Sequence, residues 1–278
     1  SGSVSSRKAK VSADNNLKVT AAKAVNNTDG TLIAGKKLDV QADSLSGDGQ
    51  LLSLGDMSLT AAQRFDNQSD VIANGKLDLT VAGDVTNRQK IQSGSELTLT
   101  ATRLDNQASG EISSHKTRLA LSDSLTNRGL IDGDQTRIDA GTLSNMGSGR
   151  IYGDWISLQA QTLNNLNEAG MGATIAARQR LDLGVGTLNN RQHGLIYSDG
   201  VMTLGRNLDA EGMATGQADA INNHSATIES IGDMALSAGQ INNVNDNLVT
   251  EIVTSATQID EAVLRGHTTR YNWSDIWL

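Results

Sequence analysis

Residues 65–81 read FDNQSDVIANGKLDLTV, residues 85–101 read VTNRQKIQSGSELTLTA, and residues 104–121 read LDNQASGEISSHKTRLAL. Stacked, the three share one pattern: apolar-x-Asn, a turn, Ile-x-Ser/Ala, a Gly-rich turn, then Leu-x-Leu-Thr-Ala. The first apolar position recurs at Val25, Leu45, Phe65, Val85, Leu104, Leu125, Leu143, Leu163, Leu188, Ile221 and Ile241. Its spacing stays near 20 residues to Leu163, stretches to 25 and 33, then returns to 20. The Asn two places later recurs at Asn27, Asn67, Asn87, Asn106, Asn127, Asn145, Asn165, Asn190, Asn223 and Asn243, with Gly47 as the one break. A fixed period of this kind is the mark of a repeat architecture.

Each unit carries an alternating strand, such as Leu38-Asp39-Val40, Leu77-Asp78-Leu79, Leu97-Thr98-Leu99 and Leu181-Asp182-Leu183. Period two means one buried face and one wet face. Asp39, Asp78 and Asp182 therefore read as a solvated face. A second short strand centres on Ile33, Leu52, Ile91, Ile112, Ile131, Ile151, Ile175, Ile196 and Ile228. Gly, Asn, Asp and Ser fill the corners, where tight turns and positive φ are tolerated. Helical spacing is nowhere sustained, which excludes helical solenoids. A propeller blade needs about 40 residues. The pattern predicts an all-β chain, a right-handed parallel β-helix of about 20-residue coils. About eleven coils would give an axis of roughly 50–60 Å, with stacked aliphatic residues inside. Stacked Asn amides can hydrogen-bond along such an axis, as they do in cross-β ladders.

Composition agrees. The chain has no Pro and no Cys, and aromatics are 3%. Lack of Pro suits a hydrogen-bonded strand array. Lack of Cys excludes disulfides and thiolate metal sites, and suits a chain exported unfolded. A net charge of −8, with scattered basic residues, argues against a nucleic-acid partner. No apolar run reaches 18 residues, so no transmembrane helix is expected.

The array is expected over residues 1–247. It begins inside a repeat, because residues 11–21 align with 91–101 without a gap; a fragment of a longer array is the reading, monomeric on its own. Insertions near 167–172 and 205–220 interrupt the period. They read as tolerated surface loops or as binding loops, since solenoid insertions map to one face. Residues 248–278 lose the corner pattern, although Ile252, Thr254 and Ala256 still alternate. Tyr271, Trp273 and Trp277 close the chain. This tail reads as a cap over the final coil or as the opening of another domain, with those aromatics as candidate interaction or capping residues.

The carriers LDNQASGEISS at 104–114, LNN at 163–165 and 188–190, and IESIGDMALSA at 228–238 resemble the filamentous haemagglutinin repeats of large bacterial exoproteins. The tail from INNVNDNLVTE to TTRYNW resembles the segment that ends the first repeat block of contact-dependent growth inhibition toxins. The resemblance implies secretion through an outer-membrane two-partner transporter, a filament on a Gram-negative cell surface, and a stalk that presents receptor-binding and toxin regions to a target-cell receptor.

Chemistry is hard to find. β-Helix lyases and hydrolases need clustered carboxylates, for Ca²⁺ or acid/base work. His115, His193, His224 and His267 show no metal-ligand spacing, although His193 and His224 fall at neighbouring corners. No nucleophile motif appears. The sequence thus reads as a structural, non-catalytic stalk with no cofactor. Its alternatives are an adhesin module binding a receptor or glycan through insertions or tail, and, behind that, a polysaccharide-active enzyme.

Overall fold

A computed structural model describes residues 2–251, 260–263, 265–272 and 274. Residues 2–246 form one compact unit, and a second begins at Asn247. The first is a parallel β-helix of about 12 turns at a spacing near 20 residues, and it carries no α-helix. Each turn has three sides. The first carries the apolar-x-Asn triplet, the second the short strand ending in Ser, Ala or Gly, and the third the alternating strand. Every side pairs in parallel with its equivalent one turn away, as Val85–Asn87 does with Phe65–Asn67 and Leu104–Asn106.

The sequence suggests eleven coils, and the structure adds one more. Val4, Ser5 and Ser6 pair with Val25, Asn26 and Asn27. That turn was hidden because Ser6 replaces the marker asparagine.

The core is a stack of aliphatic columns. Leu38, Met57, Leu77 and Leu97 fill one, in register, and all are buried. Fully burying such a side chain contributes about 1.5–3 kcal/mol. Thr117 and Thr136 continue this column, buried at 1% exposure each. Their hydroxyls donate to the carbonyls of Asp132 (2.8 Å) and Tyr152 (2.9 Å), so the polar atoms are satisfied.

The second side corrects the sequence reading. Ile33 and Leu52 pair with Ile72 on the outside, while Leu32, Leu51 and Val71 fill the core column that leads to Ile91. Both residues of each pair are apolar, so alternation alone sets no phase. The small residues Ala34, Ser53 and Ala73, which must fit the next inner corner, set it instead.

The second unit contains a short antiparallel pair, Glu261–Val263 with Arg270–Asn272. Arg270 and Glu261 form an ion pair at 2.9 Å. Ile252, Thr254 and Ala256 lie outside the described residues.

Candidate functional site: asparagine ladders, clasped insertions and an aromatic face

The marker asparagines sit at the inner end of the first side. Asn87, Asn106, Asn127, Asn145, Asn165 and Asn190 are fully buried. Each side-chain Nδ2 donates to the Oδ1 of the next. The bonds run Asn67 to Asn87 (2.7 Å), Asn87 to Asn106, Asn106 to Asn127 and Asn127 to Asn145 (2.8 Å each). They continue Asn145 to Asn165 (2.9 Å), Asn165 to Asn190 (2.8 Å), Asn190 to Asn223 (2.9 Å) and Asn223 to Asn243 (2.8 Å). The other Nδ2 hydrogen reaches a corner carbonyl in the next turn, as from Asn106 to Leu130 (3.2 Å) and from Asn145 to Thr174 (3.0 Å). A buried amide must be satisfied in this way or it costs stability.

Asn27 stands outside this run. Gly47, in the next turn, has φ +118°, and a Cβ there would lie 2.0 Å from the Asn27 carbonyl oxygen. No asparagine fits. Asn27 Nδ2 donates to Gln50 O instead (3.0 Å), while Asn27 Oδ1 and Ser6 Oγ have no partner. The corner glycines belong to the same packing. A Cβ on Gly110, Gly149 or Gly194 would lie 2.2–2.4 Å from the Oδ1 of Asn106, Asn145 or Asn190.

A second ladder, missed in the sequence, runs along the outside of the last turns. Asn242 donates to Asn222 (2.7 Å), Asn222 to Asn189 (3.0 Å) and Asn189 to Asn164 (2.9 Å). Its donors point towards the N-terminus, opposite to the inner ladder. The paired Asn-Asn after Leu163, Leu188, Ile221 and Ile241 was the available signal.

Both insertions fold back onto earlier turns. The first is a tight hairpin, Asn167 pairing Gly172 and Glu168 pairing Met171, with positive φ at Ala169 and Gly170. Glu168 takes two bonds from Arg128 (2.7 and 2.9 Å). This guanidinium holds the Glu168 carboxyl below the usual glutamate range, chiefly through the hydrogen bond. The second insertion pairs Asn207–Leu208 with Ala214–Thr215 and lies over the third side. Leu208 N–H donates to Gln159 Oε1 (2.6 Å), and Ala214 N–H to Asp182 Oδ1 (2.9 Å). Asp182 is therefore buried, 2% exposed, and paired with Arg180. The solvated-face reading fails for this residue because the loop covers it.

The structure places the other candidates apart. His193 N–H donates to Ser225 O (2.8 Å) and Gln192 N–H to His224 O (2.9 Å), so the two corners touch. His224 Nδ1 lies 3.2 Å from Asp246, and His115 Nδ1 lies 2.7 Å from Asp134. Among the described residues, no three His, Asp or Glu are grouped to hold a metal ion. Tyr271 is exposed on the small strand pair. Trp273 and Trp277 lie outside the described residues. One cluster was missed in the sequence. Tyr152 and Tyr197 each follow a repeat isoleucine, in Ile151-Tyr152-Gly153-Asp154 and Ile196-Tyr197-Ser198-Asp199, and come to one outward face beside Arg178 and Asp154; Trp155 stands at the next corner, bonded to Gln179.

Stacked parallel turns, an interior amide ladder and clasped loops define a β-solenoid repeat protein. A model of the haemagglutinin repeat matches residues 1–69, 72–212 and 198–260, and the chain belongs to that family. The family's repeats are structural, adhesin-type elements of secreted or cell-surface exoproteins. Searches of curated proteins and of solved structures returned no match.

Proposed function

We propose that this chain is a non-catalytic stalk segment of a large exoprotein on a Gram-negative cell surface. In this reading the parent leaves the cell through an outer-membrane two-partner transporter. The stalk then presents receptor-binding and toxin regions to neighbouring cells, as in contact-dependent growth inhibition. The observation that carries the proposal is the unbroken inner ladder from Asn67 to Asn243. It couples nine successive turns without a gap, which suits an element whose task is length and stiffness. The insertions support the same reading, because both are held against the solenoid wall. We further propose that residues 248–278 cap the array or lead into a following domain.

The test uses cells displaying the parent protein. Removing residues 85–103 takes out one turn in register, since Asp84 pairs Arg103 and Val85 pairs Leu104. Attachment and toxin delivery are expected to persist, with reach shortened by roughly 4.8 Å. Deleting residues 206–219 should also leave attachment intact; its loss would favour a binding role for that insertion. Acidic polysaccharides, with and without Ca²⁺, should not be turned over, and turnover would overturn the non-catalytic reading.

A further inference from the structure

The second side of each turn presents one outward residue between two core residues. In register, this column runs Tyr152, Ala176, Tyr197, Glu229. The earlier turns carry Gln92 and Ser113 there. Nothing in the fold requires an aromatic residue at this position, and the chain has only three Tyr, three Trp and one Phe. Two tyrosines nevertheless stand at alternate turns, with alanine between them. Adjacent rings would stack on each other. Two turns apart, with a methyl group between, the tyrosines border one opening together with Ala176.

The slot's size selects its occupant. Turns lie about 4.8 Å apart, so the tyrosine backbones are roughly 9.6 Å apart. Carbon contacts of about 3.5–4.0 Å on each face mean a flat ring would fill roughly 7–8 Å, and a puckered saturated ring a little more. The rim is polar. The opening, about 390 Å³, is bordered by Arg178 and Asp199, with Gly153 and Ala177 at its corner edge. Tyr197 Oη donates to Asp199 Oδ1 (3.1 Å), and Arg178 donates to Asp154 Oδ1 (2.6 Å). Desolvation, then Asp199 and Glu229, raise the Tyr197 hydroxyl above its usual range. Trp155 stands exposed on the neighbouring corner, its Nε1 donating to Gln179 (3.0 Å).

Two apolar faces with donors and acceptors at the edge match a sugar ring, whose C–H faces are apolar and whose hydroxyls project sideways. Asp154, Asp199 and Glu229 outnumber Arg178 around the opening, which disfavours sulfated, carboxylated or phosphorylated chains. We propose that this slot binds one pyranose ring of a neutral glycan, between Tyr152 and Tyr197, with Ala176 as its floor and Arg178 and Asp199 at its rim. The site lies on the solenoid wall, on residues that belong to neither insertion. It adds a binding role to a stalk element.

The test titrates the full chain with cellohexaose, maltohexaose, chitohexaose, mannohexaose and, as a polyanion, heparin, followed by saturation-transfer NMR and Trp fluorescence. At least one neutral hexasaccharide is expected to bind. Tyr197→Ala should weaken it tenfold or more, Ala176→Tyr should abolish it by filling the slot, and Tyr271→Ala should leave it unchanged. Ala176→Tyr adds bulk only on the outside, so its circular dichroism melt should match the parent chain and keep the result readable. Binding by none of the four neutral probes, preference for heparin, or wild-type affinity in Ala176→Tyr would each overturn the proposal.

Discussion

Asn106 sits in the middle of the inner ladder. It accepts from Asn87, and it donates to Asn127 Oδ1 and to the Leu130 carbonyl. Asn106→Ala leaves a buried donor on Asn87 and the buried acceptor of Asn127 without partners, and takes one bond from the part-buried Leu130 carbonyl. Each orphaned group costs about 1–3 kcal/mol, softened where neighbours relax. Urea unfolding should show a loss of about 2–4 kcal/mol. Asn26→Ala, at an exposed position bonded only by Thr28 Oγ1, should stay within about 0.5 kcal/mol. Equal losses would mean the ladder is incidental to stability. At this scale the asparagine phase is legible because one residue type recurs at one period. The opposite directions of the two ladders are not, because an amide reads the same whichever way it points. The glycine placement was visible only as a corner signal; its cause is the amide oxygen occupying the space of a Cβ.

Elements carry the alternation and its exceptions. Leu97 is fully buried between Leu77 and Thr117, while its neighbour Thr98 faces out between Asp78 and Arg118. Leu97→Asp puts an unpaired charge in the aliphatic column and should cost more than about 4 kcal/mol. Thr98→Asp should stay within about 0.5 kcal/mol, with Arg118 offsetting Asp78. Similar melts for the two would put the wrong face inside. The third side was readable because Leu alternates with polar residues. The second side was misphased at Ile33 and Leu52 because each has an apolar neighbour in sequence, Leu32 and Leu51. Asp182 shows a different limit: its burial depends on a loop some thirty residues later.

The first insertion makes a pH prediction. The folded Glu168 carboxyl is held below the usual range by Arg128. Its pairing therefore contributes above the unfolded glutamate range and is lost as pH falls through the lower folded value. Both groups are partly exposed, so the contribution is under about 1 kcal/mol. Amide hydrogen exchange of residues 167–172 should show weaker protection at acid pH. Glu168→Gln should show that weaker protection at neutral pH as well. A hairpin equally protected in the variant would mean that Arg128 does not hold it.

The whole solenoid is close to one-dimensional, since each turn meets mainly the turns on either side. Stability in such arrays is roughly a sum of unit and neighbour terms. Exposed inter-turn ion pairs such as Lys76–Glu96 and Arg103–Asp84 add little to that sum. The aliphatic columns and amide ladders supply most of it. The architecture was legible at this scale because the period repeats along nearly the whole chain. The aromatic face was missed although Ile-Tyr-x-Asp recurs at 151–154 and 196–199, because the insertion at 167–172 lengthens the turn between the two copies and takes them off the 20-residue period.

The central claim is that turns are interchangeable units in one register, and deletion tests it directly. Circular dichroism melts should compare the parent chain with two variants, one lacking residues 85–103 and one lacking residues 85–94. The first joins Asp84 to Leu104 and lets Asn67 meet Asn106, so it should keep its β-sheet spectrum and a cooperative melt close to the parent's. The second removes half a turn, puts polar residues into core columns and should lose both. Unfolding of the whole-turn deletion, or equal tolerance of the half-turn deletion, would contradict the account.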